Sequence, residues 1–266
     1  MEAVAENITK TTSEVPFYTR VADIKRLQFI IDDLKANIPS DGDVLDVGCG
    51  NGIISLNLGK EGFNVHGIDV SDKAIATAQA KNDFNNVNFE VLSAEGLQNN
   101  GKLYDAIVCS EVLEHLAKPE GLLSVLYHKL KENGRLIITV PNGKGPREVL
   151  VTKPTLRMSK SNNSFYKMML KVKGALGYDG STVQSNADNL DHVQFFSKKD
   201  LNTLSSQYAM EIVKFHHANF VDDVFPFSMI TRKINFLQKF DARVADVLPS
   251  ALVGGFMTVW KKKSEK

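Results

Sequence analysis

From residue 44 onward, short β-branched runs alternate with runs of helical periodicity, the pattern of a parallel sheet covered by helices on both faces. The runs at 44–47, 65–69, 87–92, 105–109 and 135–140 read as strands, so five β/α units fill residues 40–141. Punctuation supports this reading: Gly62 and Gly134 stand where helix C-terminal caps belong, Ser71 suits an N-cap and Pro119 a first helical turn. Upstream, 17–38 reads as a helix with Val21, Ile24, Leu27, Ile31 and Leu34 on one side, placed to lie across a ligand cleft. Downstream, Ser197 and Asp200 form a capping-box-like start to a helix carrying Leu201, Leu204 and Tyr208. Two further strands follow at 211–216 and 255–262. The second alternates Phe256, Thr258 and Trp260 against Met257 and Val259, as an edge hairpin strand would.

Two segments break the alternation, 142–191 and 217–254, and both are too long for simple connections. They are candidate substrate caps on one domain spanning 1–266. In the first, Phe165, Met168 or Met169, and Val172 share a helical face, with Lys167, Lys171 and Lys173 elsewhere. In the second, Ile230, Ile234 and Leu237 repeat the spacing. Such stripes serve as packing surfaces more often than as lipid anchors, and peripheral membrane contact stays open beside that reading.

The chain has 266 residues, with 32 Lys and Arg against 31 Asp and Glu. The net charge of +1 conceals an asymmetry, because residues 143–174 hold eight bases and a single acid, Glu148, a local +7 against −6 elsewhere. Such a segment either meets something anionic or is a solvated loop. The longest weakly polar stretch, 248–260, is thirteen residues, short of the roughly 20 that a spanning helix needs. The N-terminus carries two Glu and no apolar block behind a basic start, so the expected location is the cytoplasm. Cys49 and Cys109 stand sixty residues apart, match no metal or disulfide pattern, and read as small buried hydrophobes.

The densest chemical signal is VLDVGCGNG at 44–52, a buried strand running into a glycine-rich turn that opens a helix. Its spacing is G-x-G-x-G rather than the G-x-G-x-x-G of dinucleotide loops. Asp46 precedes the first glycine by two residues. A carboxylate there repels a pyrophosphate and attracts a ligand bearing an ammonium and a sulfonium, which points to S-adenosylmethionine (SAM). Asp69 ends the second strand, seventeen residues beyond Gly52, where a carboxylate can accept from both ribose hydroxyls. Ser93-Ala94-Glu95 follows the third strand and can border the adenine, while the fourth delivers Ser110 and Glu111 to the same sheet edge.

With these motifs the sequence resembles the class I SAM-dependent methyltransferases, within them the ubiquinone-pathway O-methyltransferases and the methyltransferase type 11 group. VLDVGCGNG, VHGID, SAEGL, YDAIVCSEVLEHL and GRLIITVPN carry the likeness over residues 40–141, and HVQFFSKKDLNTL at 192–204 adds a later block. The resemblance implies a doubly wound, Rossmann-like α/β sheet of seven strands, the last antiparallel. It also implies that Gly48, Cys49, Gly50 and Gly52 line the methionine moiety with Asp46 near its amine. Asp69 would then bind the ribose, Val70, Ala94 and Glu95 would flank the adenine, and Ser110 would border the methyl-transfer site.

Glu111, Glu114 and His115 stand at i, i+3 and i+4, one face of a helix if a helix begins there. Two carboxylates and an imidazole can hold a hard divalent ion such as Mg²⁺ or Mn²⁺, with His192 as a fourth ligand. The cluster resembles that of ubiquinone-pathway O-methyltransferases and of the metal-dependent 2′-O-methyltransferases that act on RNA 3′ ends. A metal would acidify an acceptor hydroxyl. Without one, His115 or His192 serves as general base. The alternative is local: Glu111 complements a helix start, and Glu114 pairs with His115. His66, His128, His216 and His217 have no comparable neighbours.

The expected activity is methyl transfer to a hydroxyl oxygen of a small molecule, with quinone precursors, lipids, glycans and natural products all compatible. The aromatic, Met and basic residues of the two insertions suit an amphipathic or anionic acceptor. An RNA 2′-O-methyltransferase is the alternative drawn from Glu111, Glu114, His115, His192 and the basic segment. A SAM-binding protein without catalysis is the third reading.

Overall fold

The computed structural model describes residues 18–99, 101–154, 193–222, 224, 227–231 and 233–263. In chain order, α1 (Val21–Asn37) precedes β1 (Asp43–Val47), α2 (Ile53–Lys60), β2 (Asn64–Asp69), α3 (Asp72–Ala80) and β3 (Val87–Val91). A 3₁₀ turn (Ala94–Asn99) leads to β4 (Tyr104–Ser110), a second 3₁₀ turn (Leu113–His115), α4 (Pro119–Lys129) and β5 (Leu130–Pro141). A π-helical turn (Glu148–Thr152) follows, and after it α5 (Lys198–Gln207), β6 (Met210–His217), α6 (Phe227–Thr231), α7 (Asn235–Val247) and β7 (Gly255–Lys262).

The strands form one seven-stranded sheet in the order β3-β2-β1-β4-β5-β7-β6, and β7 runs antiparallel to both its neighbours. Alternate residues of each inner strand feed two separate cores. On one face, Val44, Val65, Phe89, Val108 and Ile137 pack against Leu27, Ile30 and Leu34 of α1 and against α2 and α3. On the other, Leu45, Ile107, Ile138 and Trp260 pack against Leu122, Leu123 and Leu126 of α4 and Leu201 and Leu204 of α5. Both cysteines are buried and free, one in each core.

The caps predicted at Ser71, Pro119 and Ser197 form: the Ser71 hydroxyl accepts from the Ala74 N–H, and Ser197 with Asp200 makes a reciprocal capping box. Gly62 follows the end of α2 with a φ of +103°. Gly134 does not cap α4. That helix ends at Lys129, and Gly134 lies within β5. The 255–262 strand is not an edge either; β6 takes that place. Its alternation arises because both faces are covered. Thr258, the one polar residue of its interior, donates to the Ile138 carbonyl at 2.9 Å and accepts from the Trp260 indole at 2.8 Å.

The stripe Ile230, Ile234 and Leu237 does not form one helix face, because the chain breaks between α6 and α7. The stripe at Phe165, Met168, Met169 and Val172, with its lysines, lies outside the described residues.

Candidate active site

In an open α/β sheet the crevice for ligands opens at the carboxyl ends of strands where the strand order reverses. Here that point falls between β1 and β4, which neighbour each other although α2 to β3 separates them in the chain. The glycine turn leaves β1, and Ser110-Glu111 leaves β4.

The turn is built from backbone. Gly48, Gly50 and Gly52 have φ of +68°, +54° and +81°, a region that L side chains seldom enter. Gly48 and Cys49 donate their N–H to the Ile68 carbonyl at 2.8 and 3.0 Å. A Cβ on Gly48 would lie 2.5 Å from Cγ2 of Val112, so the loop after β4 closes directly on the turn after β1. Asp69 braces both sides: one carboxylate oxygen accepts from the Gly50 N–H at 2.9 Å and the other from the Ser71 N–H at 2.9 Å. Asp46 is buried and accepts from the Ser55 hydroxyl at 2.6 Å. Burial pushes its carboxyl up to about 6, with the negative charge of Asp69 adding to the rise against the Ser55 hydrogen bond. The same burial, reinforced by Asp46 and Asp69, pushes the Cys49 thiol upward, so Cys49 is an inert wall residue. Val70 is exposed after β2, and Ala94 opens the 3₁₀ turn after β3.

The β4 end is built from side chains. Ser110 exchanges a hydrogen bond with the Thr139 hydroxyl at 2.9 Å, and Thr139 donates to Glu111 Oε1 at 2.9 Å. Arg26 of α1 meets the same Oε1 at 3.1 Å and Asp23 at 2.8 Å. Burial works against the Arg26 charge, but Glu111 and Asp23 outweigh it and hold the guanidinium above its ordinary value. Helix α1 is therefore tied to the β4 end of the sheet through Arg26. Glu111 itself has a φ of +57°. Such strain in a residue other than glycine concentrates at functional sites.

Glu111, Glu114 and His115 do not share a helix face. Only residues 113–115 are helical, in a single 3₁₀ turn, and Glu111 stands before it in a left-handed conformation. Glu114 is 1% exposed, and neither carboxylate oxygen has a hydrogen-bond partner among the described residues. Burial, then the charges of Glu111 and Glu148, raise its carboxyl well above the usual range. His115 Nε2 lies 3.7 Å from Glu114 Oε1. No group of three His, Cys, Asp or Glu able to hold a metal is present among the described residues. The orphaned Glu114 carboxyl is one ligand, and Glu111 is engaged by Arg26 and Thr139. These residues as arranged do not fit a divalent ion. His192 lies outside the described residues, and the next residue, Val193, donates its N–H to the Glu114 carbonyl at 2.8 Å. Most of the basic 143–174 segment lies outside them as well.

Sequence reasoning did not anticipate Arg26 or Thr139. Arg26 had a signal, a charge beside Leu27 and Ile30 on the face that α1 buries. Glu148 had one too, as the lone acid among eight bases, and it is buried close enough to Glu114 to act on its charge.

A family model described as "Methyltransferase domain" matches residues 20–214. The chain belongs to this family of class I SAM-dependent methyltransferases. The ubiquinone biosynthesis O-methyltransferase of Rickettsia prowazekii (strain Madrid E) is 35% identical over 145 residues, 53% of this chain and 57% of that protein. The protein of the same name from Rickettsia bellii (strain OSU 85-389) is 40% identical over 121 residues, 44% and 50% of the two chains. The chain spans about half the length of the curated relatives it matches. Among solved structures, the magnesium protoporphyrin IX methyltransferase of Synechocystis PCC 6803 with bound SAH shares the fold at a TM-score of 0.54 and 18% identity, covering 91% of this chain and 84% of that one. PKMT2 from Rickettsia typhi in complex with AdoHcy does so at 0.57 and 17%, covering 91% and 53%.

Proposed function

We propose that this protein transfers the methyl group of SAM to a hydroxyl oxygen of a small molecule. The observation that carries this reading is the meeting, at the reversal of strand order, of a positive-φ glycine turn flanked by Asp46 and Asp69 with the polar string Ser110–Thr139–Glu111–Arg26. Oxygen as the attacked atom draws support from the O-methyltransferase relatives, and a quinone precursor is one acceptor of the right kind.

When bound, SAM supplies an electrophilic methyl on a sulfonium. Gly48, Cys49, Gly50 and Gly52 present backbone to its methionine end without side chains in the way. Asp46, uncomfortable as a buried anion, gains a counter-charge from the ligand's cations. Asp69 keeps unused lone pairs on both oxygens for the ribose hydroxyls. Val70, Ala94 and Glu95 would border the adenine, and Ser110 would border the methyl-transfer site. Rate enhancement then comes from holding the acceptor oxygen in line with the S–CH₃ bond and keeping water out. Bound SAM would supply the methyl carbon to the acceptor oxygen and would keep the S–C electron pair on sulfur as it leaves as SAH. The hydroxyl proton goes to His115, with His192 the alternative base that the sequence offers. Glu114, its buried carboxyl pushed upward, stands 3.7 Å from the His115 imidazole as its neighbour. No step is routed through a metal.

On this reading residues 1–266 are one domain, and the segments 142–191 and 217–254 cap the acceptor side. Calorimetric titration with S-adenosylhomocysteine (SAH), in Mg²⁺ and in EDTA, tests the cofactor, and saturable one-site binding is expected. A screen of phenols and catechols with labelled SAM then tests the acceptor, with His115→Ala losing turnover while keeping SAH affinity. Absence of SAH binding would overturn the proposal.

A further inference from the structure

Helix α7 is inside out. Its buried residues are Gln238, Asp241, Ala242 and Ala245, while Phe236, Phe240 and Val247 are 73%, 59% and 82% exposed. The polar side faces inward because three backbone donors there need acceptors. The Gln238 side-chain oxygen accepts from the Val21 N–H at the start of α1, and Asp241 accepts from the N–H groups of Phe220 and Val221 at 2.8 and 2.7 Å. Lys25 adds a bond to the Ala242 carbonyl, and His217 holds the Ala245 carbonyl at 2.9 Å. The helix is therefore firmly seated, and its aromatic face is outward by construction.

That face is a continuous stripe. Phe236, Phe240 and Val247 are spaced i, i+4 and i+11, on one side of the helix. Phe227 and Ile230 of α6 and Ile234 at the start of α7 are also exposed. Interleaved with them are Lys233, Lys239 and Arg243, exposed and forming no ion pair with the described residues. Of the two acids in 227–247, Asp241 is buried under its two amide donors, and Asp246 is held by Lys25 at 2.6 Å. The outward surface is thus aromatic and cationic, with its acids occupied.

We propose that the α6–α7 face docks on an anionic lipid bilayer, lying in the interface with its phenylalanines among the acyl boundary and its cations at the headgroups. Charge decides the occupant. In a symmetric pair of copies, Lys233, Lys239 and Arg243 would meet like charges across the two-fold axis, whereas anionic headgroups complement all three. The contact is peripheral, since no helix among the described residues is long and apolar enough to cross a membrane. It brings the mouth of the cleft to the lipid, because α7 packs on α1 and α1 carries Arg26 to Glu111.

Sedimentation of the full chain with vesicles tests this. Binding is expected to vesicles containing phosphatidylserine, weakening with added salt, and to be much poorer with phosphatidylcholine alone. The double variant Phe236→Ser, Phe240→Ser should lose roughly tenfold or more in vesicle affinity, with its melting temperature and SAH affinity unchanged. Lys239→Ser with Arg243→Ser should remove the phosphatidylserine preference. Asp69→Ala, placed in the cofactor site, should bind vesicles as the parent does, so this result stands apart from the fate of the proposed reaction. The proposal fails if the parent ignores anionic vesicles, or if the double Phe variant binds them equally. It also fails if light scattering finds a dimer that Phe240→Ser dissolves.

Discussion

The two strand ends that meet at the cleft are built on opposite principles. The β1 end is backbone: three positive-φ glycines, two amides on the Ile68 carbonyl, and two more on Asp69. The β4 end is side chain: Arg26, Glu111, Thr139 and Ser110 in a string, with Glu114 buried beneath. A backbone cradle suits a ligand that never changes, and a side-chain wall can be altered residue by residue to suit another acceptor.

The largest expected break falls on the backbone side. Gly48→Ala puts a Cβ into Val112 at a φ of +68°. The left-handed conformation and the overlap together should cost about 4 kcal/mol in SAH affinity, read by calorimetry. Next comes Asp46, whose carboxyl is pushed up to about 6 from an ordinary 3.8. Between those values the folded state holds a proton that the unfolded chain has released, so stability of the ligand-free protein falls as pH rises from about 4 to about 6. The full effect is about 3 kcal/mol, and thermal melts of Asp46→Asn should lack it. SAM, being cationic, should bind more tightly as pH rises through the same window.

On the side-chain side, Arg26→Met leaves Glu111 with Thr139 alone. The loss of a charged hydrogen bond should slow methyl transfer by about 2 kcal/mol while SAH affinity holds, and Arg26→Lys should restore part of it. An equal loss in SAH affinity would show that the two ends do not function separately. The smallest effect is expected for Asp246→Ala, which removes a largely exposed pair with Lys25 and should change stability by no more than about 0.5 kcal/mol.

The same contrast explains what was legible in the sequence. The cradle is local, with Asp46 to Gly52 contiguous and Asp69 at the end of the next strand, so motif spacing alone located it. The wall draws Arg26, Glu111, Thr139 and Glu148 from four distant elements, and no periodicity links them. The Glu111-to-His115 spacing suggested a helix because spacing cannot report that Glu111 takes a left-handed turn. Strands were found to within a few residues, but the place of β7 inside the sheet was not, since alternation looks alike wherever both faces are covered. In the 217–254 segment, the spacing of Ile230, Ile234 and Leu237 suggested one packing stripe, but the chain breaks between α6 and α7. In α7 the demand of Val21, Phe220 and Val221 for acceptors turned the polar residues inward.

The position of β7 also bears on how the protein is made. Leaving a ribosome, residues 210–217 emerge some forty residues before 255–262, yet β6 touches the sheet only through β7. Until β7 is synthesised, β6 has nothing to pair with and β5 offers an open edge ending in Leu136–Pro141. The nascent chain thus carries a parallel five-stranded sheet with one sticky flank.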